Sequence, residues 1–173
     1  TGDHETGALT LGVAGTGYSS YLEHLQYQKL SYEKFTARLK ELRKSGKLSL
    51  DDVKQMITAD FGLKFTASGK DPLLLTAHEQ ARLATAFDRA LTGKNKATHE
   101  IDSVLYGGYD PLCVTITRML TNKSGVGWNS FAHTALPVWT SAWGNQSERF
   151  AGMSDNTDIG KILKQMVQPL PQH

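Results

Sequence analysis

Between Ser31 and Ser45 the apolar residues Tyr32, Phe35, Leu39 and Leu42 recur at intervals of three and four, with the charges on the positions between them. That period predicts an amphipathic helix, closed by Gly46. Ser49 stands three residues before Asp52 and opens a second apolar face at Leu50, Val53, Met56 and Ile57, so the two segments read as a helical hairpin. After a linker from Thr66 to Leu75, Thr76 and Glu79 repeat the capping pattern ahead of Leu83, Ala84, Phe87 and Leu91, and Gly93 is the expected stop. A short helical stretch follows around Ile101 to Leu105. Asp110 and Pro111 then supply a cap and a first-turn proline for Leu112, Ile116, Met119 and Leu120, ahead of a turn-rich run from Thr121 to Gly127.

Towards both ends the pattern changes. Ala8 to Leu11 alternates as a short strand does before Gly12, a second strand is expected over Tyr21 to Tyr27, and Ala135 to Ala142 is β-branched and aromatic enough for a third. Ile159, Ile162, Leu163, Met166 and Val167 make a last amphipathic helix behind the polar run Asp155 to Asp158. Strands at the ends and helices between them predict an α/β fold whose ends share one sheet. The corresponding division is a sheet segment over 1–30, a mainly helical insertion over 31–107, and a helix, strand and C-terminal helix over 108–173.

Composition narrows the possible roles. The 173 residues, 39% hydrophobic and 21% charged, suit one ordinary domain or part of a larger one. Nineteen Lys and Arg against seventeen Asp and Glu leave a net charge of +2, too little for the positive field that nucleic-acid binding requires. Seven Lys and Arg do fall between residues 29 and 47, a run that reads as a solvated helix face. Its other reading is a helix-rich module, without catalysis, that binds a protein or a membrane partner. No apolar run approaches the roughly 20 residues of a bilayer span. The single cysteine, Cys113, excludes an internal disulfide and a Cys-rich zinc site but leaves metal sites built from His and Asp open.

Two loops superficially resemble ligand sites. Gly15 to Ser20 lacks the third glycine of a dinucleotide fingerprint and the lysine of a P-loop, and Lys44 to Asp52 lacks the early carboxylates of a calcium loop. Neither nucleotide nor calcium is expected. The chain opens on Thr1-Gly2-Asp3-His4-Glu5-Thr6-Gly7, without a methionine, which gives the expectation of a start inside a longer polypeptide; Gln168 to His173 reads as a natural end. Asp3 and His4 precede one expected strand and His133 another. Carboxylate and imidazole are natural zinc donors, and strand ends let such side chains converge in a cleft.

Thr1 to Leu9 closely resembles the T-[AG]-D-H-E-T-G-G-L segment of bacterial alkaline phosphatases. Ser124-Gly125-Val126-Gly127-Trp128, His133-Thr134, Val138, Ala142-Trp143-Gly144, Phe150, Gly152 and Asp155-Asn156-Thr157-Asp158-Ile159 resemble the same family's C-terminal run, in the same order. Together these segments cover about 60 residues at the two ends of the chain. The resemblance implies the C-terminal part of an alkaline-phosphatase-like sheet-and-helix fold, in an enzyme that hydrolyses phosphate monoesters through a phosphoserine, with two zinc ions and a magnesium ion. It implies that Asp3 and His4 ligate the zinc beside the serine, that His133 ligates the other zinc, and that the enzyme is periplasmic or secreted; a homodimer is left open. The family's nucleophile motif, phosphate-binding arginine, remaining zinc ligands and magnesium carboxylates have no counterpart here, so the chain alone is expected to be inactive. A complete zinc hydrolase within these residues fails on ligand count. Ala135 and Leu136 also stand where the family commonly has Gly and a polar residue. His24, His78 and His99 are expected to meet solvent or a cap, not a metal.

Overall fold

A computed structural model describes residues 1–46, 48–91 and 100–167; Lys47, Gly93, His99 and the tail from Gln168 to His173 lie outside them. The capping signals act where the sequence puts them. Helix α1 (Tyr32–Lys44) starts at Ser31, whose side chain accepts from the Lys34 amide, and it buries Phe35 and Leu39. Helix α2 (Leu50–Phe61) opens on the reciprocal Ser49–Asp52 box and ends at Gly62, which takes the left-handed conformation at φ +70°. Ahead of α3 (Ala77–Leu91), the Thr76 amide donates to the Glu79 carboxylate and the Glu79 amide to Thr76 Oγ1. Helix α4 runs over Glu100–Tyr106 and α5 over Pro111–Lys123, capped by Asp110.

Helix α5 is buried along most of its length, from Pro111 to Ile116 and again at Met119 and Leu120. A helix apolar on nearly every side has no face to give to solvent, and α1, α2, α3 and α4 all pack on it. The resulting core joins Phe35, Ile57, Phe61, Leu83, Phe87, Leu112, Ile116 and Leu120, with the Phe35 and Phe61 rings edge-to-face at 4.9 Å. This compact unit reaches from Leu9 to Phe131. A boundary between 107 and 108 would separate α5 from the helices it packs against.

Among the described residues the named strands form two ladders of two strands each, in place of the one shared sheet the sequence predicts. Strand β2 (Leu9–Leu11) pairs antiparallel with β3 (Val126–Trp128) within the helical unit, Leu9 facing Trp128 and Leu11 facing Val126. Strand β1 (Glu5–Thr6) pairs antiparallel with β4 (His133–Thr134) in a second unit, which combines Thr1–Ala8 with the chain from Ala132 onward. That unit also contains a 3-10 turn at Ser147–Phe150 and helix α6 (Asn156–Val167). Asp155 and Asp158 cap α6: Asp155 Oδ1 accepts from the Thr157 amide at 2.9 Å, and Asp158 Oδ2 accepts from the Asp155 amide at 3.1 Å. The molecule is therefore a mixed assembly of helices and small sheets, consistent with the α/β class. Among the described residues no helix is long and apolar enough to cross a membrane.

Three segments depart from their expected form. Leu22–Tyr27 is a 3-10 helix, not a strand. Its period of three stacks Tyr21 on His24 at 5.5 Å, and the buried His24 donates Nδ1–H to the Lys123 carbonyl in the last turn of α5. The turn-rich run after Met119 is shorter than expected, because α5 continues to Lys123 and β3 begins at Val126. Ala135 to Ala142 forms no strand: β4 ends at Thr134, the chain bends at Ala135, and Pro137 has no amide to continue a ladder.

Candidate metal centre

The β1–β4 register decides which side chains meet. Glu5 faces Thr134 and Thr6 faces His133. Because successive side chains of a strand alternate between faces, His4 and Thr6 share the face on which His133 stands. The result is a stacked pair, the His4 and His133 rings lying 3.4 Å apart between centroids and 24° from parallel. Asp3, His4 and His133 are thus brought to one end of one ladder from positions 129 or more residues apart in sequence.

Local hydrogen bonds aim the donor atoms. The His4 amide donates to Asp3 Oδ1 at 3.0 Å, which turns Oδ2 towards the ring. His4 Nδ1 lies 2.9 Å from the Glu5 carbonyl. A carbonyl only accepts, so Nδ1 carries the proton and the neutral ring keeps its lone pair on Nε2. That nitrogen stands 3.4 Å from Asp3 Oδ2. Two donors at about 2.0–2.1 Å from a tetrahedral zinc are themselves about 3.4 Å apart, so the pair fits one edge of a zinc coordination sphere. His133 offers a third donor, a second imidazole nitrogen, beside them. Among the described residues, however, no group of three or more His, Cys, Asp or Glu side chains is gathered to hold a single ion.

Glu5 works on the opposite face of the same ladder. Its carboxylate accepts from the Ala8 amide at 2.7 Å and from the Thr134 hydroxyl. The first contact holds Ala8 at φ +51°, directly after Gly7 at φ +82°; the second ties β1 to β4. The Gly7 amide donates across to the Ala132 carbonyl at 3.0 Å. Glu5 was not singled out from the sequence. The available signal was its place one residue beyond Asp3-His4 and just before a Thr-Gly turn.

A cavity of about 810 Å³ opens beside these groups, with Asp3, His4, Glu5 and Asp155 among its charged or ionisable lining and Val138, Phe150 and Ile159 as apolar walls. His133 is not part of that lining. The Asp155 and Asp158 carboxyls both lie below their ordinary range. The Thr157 side chain and then its amide stabilise Asp155, and Lys161 and then the Asp155 amide stabilise Asp158, so both carboxylates are engaged at the start of α6.

The other candidate groups belong to the unit from Leu9 to Phe131. His78 is exposed on α3, and His24 is buried in the helical unit. Burial, followed by the charge of Asp110, pushes the Cys113 thiol up to about 12, which leaves it neither a nucleophile nor a ready ligand.

No family model matches the chain, and no solved structure matches it. Among curated proteins, alkaline phosphatase 3 of Bacillus subtilis (strain 168) is 27% identical to it over 172 residues, which cover 97% of this chain and 29% of that protein. The chain thus spans less than a third of the length of the relative it matches, and the likeness supports a distant relationship to an alkaline phosphatase.

Proposed function

We propose that the chain is part of a metal-dependent phosphomonoester hydrolase with an alkaline-phosphatase-like fold, contributing Asp3 and His4 to one zinc and His133 to a second. The observation that carries this reading is the 3.4 Å spacing of Asp3 Oδ2 and His4 Nε2, in the segment most like that family. When bound, the two zinc ions supply Lewis acidity towards phosphoryl oxygens and lower the pKa of an attacking water.

The chain's own residues prepare that site. The Glu5 carbonyl accepts from His4 Nδ1–H, which fixes the ring's orientation and leaves Nε2 facing Asp3. The Glu5 side chain fastens β1 to β4, which keeps the two imidazoles in register. Val138, Phe150 and Ile159 shield one side of the cavity from water. In this proposal the serine nucleophile, the phosphate-binding arginine, the remaining zinc ligands and the magnesium carboxylates belong to polypeptide outside these residues. Export to the periplasm or medium belongs to the same proposal.

The basic segment over residues 29–47 is the feature on which a binding module would rest. Arg38 pairs with Asp60 at 2.7 Å, Arg43 with the buried Asp110 at 2.9 Å and Lys44 with Glu41 at 2.7 Å, so three of its cations are neutralised within the fold.

The 173-residue chain, purified alone, is expected to hydrolyse p-nitrophenyl phosphate no faster than buffer. Turnover that persists through repurification and disappears with a chelator would overturn the division of the active site proposed here.

A further inference from the structure

Helices α3 and α5 carry three arginines, Arg82, Arg89 and Arg118, and their surroundings differ. Arg89 pairs with Asp102. Among the described residues neither Arg82 nor Arg118 has a carboxylate partner, and neither guanidinium donates a hydrogen bond. Glu79, on the same helix as Arg82, is already engaged: it accepts from the Thr76 amide at 2.8 Å and pairs with Lys123 at 3.1 Å. That bridge joins the first turn of α3 to the last turn of α5, so the two packed helices run antiparallel. Arg82 stands three residues along from the bridge and Arg118 five residues back, a difference in height of about 3 Å at about 1.5 Å per residue. Two like charges therefore come to the same level. Burial, and then the charge of Arg82, hold the Arg118 guanidinium below its ordinary range, and no carboxylate offsets them.

Arg118 is fixed in place without the use of its donors. Its Cζ lies 4.0 Å over the centroid of the Phe131 ring. That ring is itself held, against the Gly107 backbone, where a Cβ would collide with it, and beside the Tyr109 ring at 6.0 Å. Stacking occupies the face of a guanidinium and leaves its N–H groups, which lie in the plane, available. Among the described residues Arg43 Nε is the one sealed side-chain nitrogen or oxygen that lacks a partner, so the nitrogens of the half-buried Arg118 reach solvent. A rigid, positioned fork thus stands beside a second cation with its donors unused.

Charge selects what such a pair takes. A carboxylate brings one negative charge and offsets half of the pair. A phosphate group brings about 1.5–2 negative charges at pH 7 and three acceptor oxygens, enough for a two-pronged contact with one guanidinium and a further contact with the other. We propose that Arg82 and Arg118 together bind a phosphate group, as free inorganic phosphate or on a phosphate monoester, at the seam between α3 and α5. The site shares no residue with Asp3, His4 and His133, so it stands or falls independently of the phosphatase reading.

The test is a phosphate titration of the isotope-labelled 173-residue chain, whose unit from Leu9 to Phe131 encloses its own apolar core. Ionic strength is held constant, and a chelator is present so that no bound metal contributes. The Nε–Hε resonances of Arg82 and Arg118 should shift together, with a single midpoint at about 1 mM. Arg82→Gln, a substitution at an exposed position that leaves the Arg118 stack in place, should raise that midpoint about tenfold or more. Methyl phosphate distinguishes the two sources: a response equal to that of inorganic phosphate extends the site to monoesters, and a response to inorganic phosphate alone restricts it to the free ion. An equal response to acetate would overturn the proposal in favour of general screening. An unchanged midpoint in Arg82→Gln, or an Arg118 resonance that does not move, would overturn it outright.

Discussion

Gly62 and Gly46 take nearly the same left-handed conformation, at φ +70° and +68°, but their surroundings differ. A Cβ on Gly62 would lie 2.6 Å from Tyr27 Cβ, whereas one on Gly46 would meet nothing within 4 Å. Gly46→Ala should cost only the conformational penalty, about 1 kcal/mol. Gly62→Ala should add an overpacking penalty of about 1–3 kcal/mol, read as a lower urea midpoint at unchanged m. Equal losses from the two substitutions would contradict the crowding at Tyr27. Gly46 is legible in the sequence as a helix stop; the crowding at Gly62 is not, because Tyr27 arrives from a segment 35 residues away. The same limit applies at the candidate site. Asp3, His4 and His133 could be picked out by donor chemistry and by resemblance, but the clamp made by Glu5 depends on a register with Thr134, which no local pattern encodes.

Helix caps were the most legible elements, because a cap is a relation between residues three apart. Their energetic weight depends on burial. Ser49 caps α2 at the surface, and Ser49→Ala should cost about 1 kcal/mol. Asp110 caps α5 and also holds Arg43, whose Nε is already buried without a partner. Asp110→Ala should therefore cost about 3–5 kcal/mol, because it strands a partly buried guanidinium as well as removing a cap. A loss no greater than that of Ser49→Ala would mean that the ion pair contributes nothing.

The caps also set a pH dependence. Asp52 is held low by the Ser49 side chain and then its amide. Burial raises the Glu79 carboxyl, but the Thr76 amide and Lys123 outweigh it, and the net shift is downward. Groups lowered in the folded state stabilise it above their unfolded pKa, and that stability is lost as pH falls through the folded values. The urea midpoint should accordingly drop as pH is lowered from about 4.5, with a shallower slope in Glu79→Gln, which removes the titrating carboxyl. Strand elements were less legible, since a strand exists only with its partner: Tyr21 to Tyr27 had the right residues and lacked one, and so did Ala135 to Ala142.

At the scale of the molecule, the unit from Leu9 to Phe131 encloses an apolar core, while the unit carrying Asp3, His4 and His133 encloses none among the described residues. The boundaries of these units were not legible, because nothing local in α5 tells a helix surrounded by helices from one that covers a sheet. In the proposed phosphomonoesterase His133 is a zinc ligand, whereas His78, on the surface of α3, is not. Zinc stoichiometry and p-nitrophenyl phosphate turnover, measured together on the longer protein carrying either His133→Ala or His78→Ala, decide between the two roles. His133→Ala should lose bound zinc and most turnover, while His78→Ala keeps both. Equal effects of the two substitutions, or full zinc content in His133→Ala, would contradict it.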